Sequence, residues 1–140
     1  MTGAFSAGDG TALFEQSWHP AGTPRATVVI HHGLKSRSEH YRELALRLVN
    51  LGFAVYAYDM RGHGRSAGRR ASLDSLEDLV SDLSGFVERA RAREAGRPVF
   101  VMGHSVGGAV VALYAVERRP TIAGFVLLAP ALRVDRLPLE

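Results

Sequence analysis

Ser105 has the sequence surroundings of a nucleophile. It follows the apolar run 99–102 and lies between Gly103 and Gly107 in the pattern Gly-x-Ser-x-Gly. A serine in this pattern stands on a sharp turn between a strand and a helix, so its hydroxyl projects above the sheet where a carbonyl carbon can reach it. The glycines let the neighbouring backbones approach closely. The pattern therefore predicts nucleophilic acyl transfer at this serine.

Acyl transfer also needs hydrogen-bond donors that stabilise the carbonyl oxygen, which becomes negative when the serine attacks. The backbone N–H of Val106 would lie at the first turn of the helix that follows Ser105, where the helix dipole favours negative charge. A second donor is expected from the backbone N–H of Leu34, which follows Gly33 at the end of an earlier apolar strand. Leu34 and Val106 are thus the predicted oxyanion hole.

The elements that must position these residues follow from alternating apolar runs and helical periodicity. We predict an opening hairpin over 3–18, strands near 26–31, 53–58, 99–102 and 124–129, and helices near 39–51, 75–94 and 107–118. Ser75 and Asp78 are placed as a capping box at the start of the second helix. Strands that alternate with helices indicate an α/β fold: a three-layer sandwich with a mainly parallel sheet. Ligands bind at the carboxyl edge of such sheets.

The composition narrows the possible partners and location. The chain has no cysteine, which excludes thiol nucleophiles, thiolate metal sites and disulfides. The net charge of +3 is spread along the chain without blocks of like charge, so no nucleic-acid partner is expected. No apolar run is long enough for a stable membrane span. These features predict a cytoplasmic protein that uses no cofactor and no metal.

Three segments together resemble a known family. They are 32–33, the loop 59–68 with the sequence Asp-Met-Arg-Gly-His-Gly-Arg-Ser-Ala-Gly, and the elbow 103–108. They are similar, in order and spacing, to the monoacylglycerol lipase and lysophospholipase group of the α/β-hydrolases, also called serine aminopeptidase S33-like. The resemblance implies an α/β-hydrolase fold, Ser105 as nucleophile, and the Leu34 and Val106 amides as oxyanion hole. It assigns a supporting role to the loop and to Gly33, Gly103, His104 and Gly107.

The resemblance also implies parts that we do not find in the sequence. In the family a catalytic acid and then a histidine follow the nucleophile, on later strands, and a helical cap forms the acyl-binding tunnel. We therefore expect 1–140 to be the N-terminal part of one hydrolase domain, truncated before the cap and the last strands, with little turnover by itself. Asp135 is the one weak candidate acid within the chain. The strand near 124–129 would then be an exposed edge, open to a complementary C-terminal chain or to self-association.

Several alternatives remain open at this point. The six histidines favour packing, loop or surface positions over a catalytic base or a metal site. The arginines of the glycine-rich loop could pair a phosphate or carboxylate of a substrate, although a solvated loop is the commoner explanation; they are Arg61, Arg65, Arg69 and Arg70. The expected function is hydrolysis of an acyl ester, with peptidase, thioesterase or haloperoxidase chemistry as alternatives. A third possibility is a non-enzymatic binding module.

Overall fold

A computed structural model describes residues 1–73 and 75–133. Six strands form one sheet: β1 (Thr2–Ser6), β2 (Ala12–Trp18), β3 (Ala26–His31), β4 (Phe53–Tyr58), β5 (Val99–His104) and β6 (Gly124–Leu128). A 3-10 turn (Ser38–Tyr41) precedes helix α1 (Arg42–Asn50); helices α2 (Leu76–Arg93) and α3 (Val106–Arg118) follow β4 and β5.

The strands lie in the order β1-β2-β4-β3-β5-β6. The hairpin β1-β2 is antiparallel and joins β4 in antiparallel fashion, whereas β4, β3, β5 and β6 are parallel to their neighbours. Helices α2 and α3 pack on one face of the sheet and α1 packs on the other. The predicted three-layer α/β sandwich with a mainly parallel sheet is therefore confirmed.

Alternate residues of the central strands point to opposite faces of the sheet and belong to different apolar clusters. Val29 and Val101 belong to the larger apolar cluster beneath α2 and α3, while Val28, Ile30 and Met102 belong to the cluster beneath α1. Successive side chains of a strand point to opposite faces, so a central strand covered on both faces must be apolar at consecutive positions. This is why the whole of β3 is buried and why its end is held firmly beside β5.

The ends of several elements differ from the sequence expectation in detail. The segment predicted as a helix over 39–51 begins as the 3-10 turn, because the Asp59 carboxylate accepts hydrogen bonds from both the N–H and the hydroxyl of Ser38 at 2.7 Å. The helix after the nucleophile starts at Val106, directly after Ser105. One half of the capping box predicted for α2 is present, since Ser75 Oγ accepts the N–H of Asp78 at 3.1 Å.

The strand β6 lies at one edge of the sheet, and its apolar residues are about two-fifths exposed: Phe125, Val126, Leu127 and Leu128. Among the described residues no helix is both long and apolar enough to cross a bilayer.

Candidate active site

Ser105 occupies a backbone conformation that L-residues rarely adopt. Its φ is 55° and its ψ is −122°, and it separates the last residue of β5 from the first residue of α3. Such a conformation costs roughly 1–3 kcal/mol and persists only where neighbouring structure enforces it. The enforcing contacts run to the end of β6 and to the segment after it: the Ser105 N–H donates to Leu128 O at 3.0 Å, and the Ala131 N–H donates to Ser105 O at 3.0 Å.

The glycines of the elbow allow backbone segments to touch. A Cβ at Gly103 would lie 2.7 Å from the carbonyl carbon of Gly107 and 2.7 Å from Val111 Cγ2. A Cβ at Gly107 would lie 2.5 Å from the carbonyl oxygen of His31. Real Cβ contacts are essentially never under 3.0 Å, so side chains at Gly103 and Gly107 would force β3, β5 and α3 apart.

The turn after β3 lies directly against Ser105. A Cβ at Gly33 would be 3.1 Å from Ser105 Cβ and 3.7 Å from Ser105 Oγ. The Ser36 N–H closes the turn by donating to Gly33 O at 3.2 Å, and Lys35 has a φ of 55°. The turn therefore consists of residues 33–36, and the N–H of Leu34, its second residue, takes no part in the hydrogen bond that closes it.

The N–H of Val106 has no partner within its helix, because the first N–H groups of a helix cannot reach a carbonyl four residues earlier in the same helix. Ser105, which precedes it, makes no side-chain cap hydrogen bond. The residues carrying the two predicted oxyanion donors therefore flank the serine: Val106 follows it in the chain, and Leu34 follows the glycine that packs on it. An acyl oxygen placed near Ser105 Oγ would lie near the N-terminal, positive end of the α3 dipole, which stabilises negative charge on that oxygen.

His104, which precedes the serine, is exposed, and its Nδ1 lies 2.9 Å from the hydroxyl of Tyr41. This hydrogen bond ties the elbow to the start of α1. Tyr41 lies in the segment predicted as a helix over 39–51, and no local pattern in the sequence indicates its partner 63 residues away.

The two histidines at the end of β3 are structural. Both are about 1% exposed. Burial, reinforced by the charge of its neighbour His32, lowers the pKa of His31 to about 3, and burial lowers the pKa of His32 to about 4. His32 Nε2 accepts the N–H of Met60 at 2.9 Å, and its Nδ1 lies 2.7 Å from Gly33 O. His32 thus fastens the loop after β4 to the turn that carries Leu34.

The loop 59–68 is held by its own polar residues. The Asp59 carboxylate accepts N–H groups of Ser38 and of Arg65, the latter at 2.8 Å. His63 Nδ1 lies 3.0 Å from Arg61 O. The Arg61 guanidinium makes two hydrogen bonds of 2.8 Å to the buried carboxylate of Asp82 on α2. Asp59, His63 and Arg61 therefore hold the loop in place.

A complete proton-transfer pair is not found within the described ranges. In residues 1–73 and 75–133, the hydroxyl of Ser105 has no hydrogen-bond partner, and no cluster of histidine and carboxylate side chains could hold a metal ion. The weak candidate acid Asp135 lies outside the described residues. The geometry thus contains a strained serine and its adjacent amides, which can attack and polarise a carbonyl group.

Comparison with known proteins shows which family the chain resembles. The family described as Serine aminopeptidase, S33 matches residues 22–139. Human monoglyceride lipase is 41% identical over 122 residues, which are 87% of this chain and 40% of the relative. The monoacylglycerol lipase of Mycolicibacterium smegmatis is 35% identical over 129 residues, covering 92% of this chain and 46% of the relative.

Among solved structures, the monoacylglycerol lipase of Paleococcus ferrophilus superposes with a TM-score of 0.75 at 35% identity, over 91% of this chain and 47% of that one. The chain spans less than half the length of each of these three proteins. The family match over most of the sequence and the shared fold show that this chain belongs to the serine aminopeptidase S33 family of α/β-hydrolases, in the group that contains the monoacylglycerol lipases.

Proposed function

We propose that Ser105 is the nucleophile of a carboxylic ester hydrolase that acts on monoacylglycerols or lysophospholipids. The observation that carries the proposal is the left-handed conformation of Ser105 at the junction of β5 and α3. Strain of this kind clusters at functional sites, where it holds a reacting group in place. The identity to monoacylglycerol lipases supports the substrate class.

In the proposed reaction Ser105 Oγ attacks the acyl carbonyl carbon and loses its proton to a base. The carbonyl oxygen becomes negative and accepts the N–H groups of Leu34 and Val106. The tetrahedral species collapses, the C–O bond to the alcohol breaks, and the base returns the proton to the departing alcohol. Water then attacks the acyl-enzyme by the same route and releases the fatty acid. No cofactor takes part in these steps.

The base and its orienting acid are expected from residues other than the described ones. Because their pKa values lie far below neutrality, the rings of His31 and His32 are uncharged at neutral pH. Their ring nitrogens are nevertheless buried, and they are either bonded to loop backbone or enclosed, so a substrate has no access to them. His104 contacts Tyr41. Because a serine hydroxyl needs a base to react, we expect the 140-residue chain to turn over slowly without a supplied base.

The apolar edge strand β6 supports a related proposal about partners. A row of exposed apolar side chains beside unpaired strand backbone favours pairing with another strand. We expect β6 to be covered either by additional polypeptide that completes the hydrolase sheet or by a second copy of the chain. The cytoplasmic location expected from the sequence remains a prediction.

The proposal is tested with a fluorophosphonate probe on the full-length protein encoded by the gene. The probe should label the protein covalently, Ser105→Ala should abolish the label, and Ser81→Ala, which changes an exposed serine on α2, should retain it. A folded protein that is not labelled, or a label that survives in Ser105→Ala, would contradict the assignment and favour a binding module.

The family description includes aminopeptidases, so peptide chemistry is a second candidate. Rates on monoacylglycerols of several chain lengths should be compared with rates on acyl thioesters and aminoacyl amides. Faster cleavage of the acyl esters supports the proposed function, whereas faster cleavage of an amide would transfer the assignment to the peptidases.

A further inference from the structure

A basic hollow opens beside the turn that carries Leu34. Its volume is about 230 Å³, enough for roughly eight water molecules at about 30 Å³ each. Five of the side chains that line it are basic: Lys35, Arg37, His40, His63 and Arg70. Among the described residues that line it, none is acidic. A hollow with this lining favours an anionic ligand.

The guanidinium of Arg70 is held in position within the loop. It donates to Gly64 O at 3.0 Å and to Ser66 O at 2.9 Å. A guanidinium has five N–H donors, so these two bonds fix the group and leave further donors for a ligand. Arg61 differs, because its charge is already paired with the Asp82 carboxylate.

Arg37 supplies a second positive charge at the rim. Its side chain is exposed, and it makes no ion pair within the described ranges. The carboxylate of Asp59 lies beside Gly64 but is not part of the lining of the hollow, and its oxygens accept hydrogen bonds from Ser38 and Arg65. The carboxylate oxygens of Asp59 therefore already have donors within the protein.

The hollow borders the turn whose first residue, Gly33, packs against Ser105. Lys35 and Ser36 line it and directly follow Leu34, whose N–H is a proposed oxyanion donor. Ser36 donates its N–H to Gly33 O at 3.2 Å, and a Cβ at Gly33 would lie 3.1 Å from Ser105 Cβ, so one short turn links the hollow to the serine. A ligand group that shares a short polar backbone with the ester would reach it.

We propose that this hollow binds a phosphate group on the alcohol portion of the ester, so that the preferred substrate is a monoacylglycerol phosphate rather than a neutral monoacylglycerol. This inference rests on the proposed function of Ser105. A phosphate monoester carries a charge of about −1.5 to −2 near neutral pH and offers three acceptor oxygens. Arginine binds such groups with charge-assisted hydrogen bonds. A choline diester would instead bring a cation among basic side chains.

The test compares two substrates with the same acyl chain, one with a glycerol phosphate head and one with glycerol, on the full-length protein. We expect a higher kcat/KM for the phosphate ester, and Arg37→Gln should lower the ratio of the two kcat/KM values about tenfold, the loss expected for one charge-assisted hydrogen bond. Raising the ionic strength should reduce the preference in the wild type, because salt screens charges at the rim.

Arg47→Gln is the matched control, since it removes one exposed arginine charge from α1 at a position paired only with Glu43 in the described structure. It should leave the ratio unchanged. Equal kcat/KM values for the two substrates in the wild type, or a ratio that does not change in Arg37→Gln, would overturn the inference. An equal loss on both substrates in Arg37→Gln would indicate a merely structural role and would also overturn it.

A binding measurement separates this inference from the function of Ser105. Calorimetric titration of the Ser105→Ala protein with glycerol phosphate, inorganic phosphate and glycerol does not require catalysis. Tighter binding of glycerol phosphate than of the other two, weakened in Arg37→Gln, supports the substrate site even if esterase activity is absent. Equal binding of inorganic phosphate and glycerol phosphate would assign the hollow to free phosphate and contradict a substrate role.

Discussion

Gly107 lies so close to the end of β3 that a methyl group on its Cα would come within 2.5 Å of the carbonyl oxygen of His31. The two residues join α3 to the strand that precedes the turn of Leu34. Their contact therefore fixes the distance between the serine elbow and one side of the proposed oxyanion hole.

Gly107→Ala should destabilise the protein by about 3 kcal/mol or more, because the clash is with backbone that cannot rotate away. Gly85→Ala is the matched control: Gly85 is exposed in α2, and a Cβ there meets nothing within 4 Å. It should stabilise the protein by about 1 kcal/mol, the difference in helix propensity. Denaturant unfolding measures both, and equal effects of the two substitutions would contradict the close packing of the elbow.

Ser105→Gly should be more stable than Ser105→Ala by about 1–2 kcal/mol. Glycine adopts a positive φ without a Cβ penalty, whereas alanine keeps the strain of the serine backbone. Both variants should lack esterase activity. Thermal unfolding of the two inactive proteins gives the comparison, and an alanine variant as stable as the glycine variant would show that the elbow is not strained.

The free energy of unfolding should fall as the pH drops below about 6.5. The folded pKa values of His31 and His32 are lowered to about 3 and about 4 from an ordinary value of 6.5. Between pH 6.5 and the folded pKa values, the unfolded chain binds protons that the native state does not. The free energy of unfolding is therefore highest above pH 6.5 and falls as the solution is acidified. Each histidine contributes up to about 1.4 kcal/mol per pH unit.

His31→Gln should reduce this pH slope by the contribution of one histidine, and His40→Gln, at an exposed position, controls for the loss of an imidazole. NMR titration of the ring of His31 in the wild type gives an independent readout. Protonation of that ring near pH 6.5 in the native state would refute the expected slope.

Glu15→Gln should destabilise the protein by about 2 kcal/mol near neutral pH. Glu15 on β2 is 4% exposed and accepts hydrogen bonds from Arg89 at 2.8 and 3.0 Å and from Arg93 at 2.7 Å. Burial alone would raise the pKa of Glu15, but the two arginines outweigh it and hold the pKa below 4.5. The stabilisation is thus present above pH 4.5 and lost at lower pH.

The exposed pair of Glu43 and Arg47 on α1 is the control for this substitution. Its side chains are mostly in solvent, so Glu43→Gln should change the free energy of unfolding by less than about 0.5 kcal/mol. Urea unfolding at several pH values compares the two variants. An equal small effect of both would mean that the bonds of Glu15 do not anchor α2 to the hairpin.

Local patterns in the sequence were sufficient to predict the strands, the helices and the turn at Ser105. Consecutive apolar residues predict the buried central strands, because a strand covered on both faces has no polar side. Glycine spacing around Ser105 predicts the turn, since only glycines let the chain pass there, and Ser75 predicts the start of α2. These features depend on neighbours within a few positions of the chain.

The sequence could not predict which distant residues meet. On the sequence alone, the four loop arginines had the same possible role, which was to pair with an anionic group of a substrate. The structure distinguishes them: Arg61 is paired with Asp82, whereas Arg70 and Arg37 both line the basic hollow. The contact of Tyr41 with His104 was likewise absent from any local pattern.

By itself, the sequence determined an α/β chain with a serine at a strand-to-helix turn, because hydrophobic period and backbone freedom are properties of adjacent residues. Only the tertiary structure decided that Gly33 touches that serine, that the two histidines at the end of β3 are buried, and that the basic side chains near Leu34 line one hollow. These relations depend on how the strands are ordered and aligned across the sheet, and that alignment is settled by packing among segments far apart in the chain.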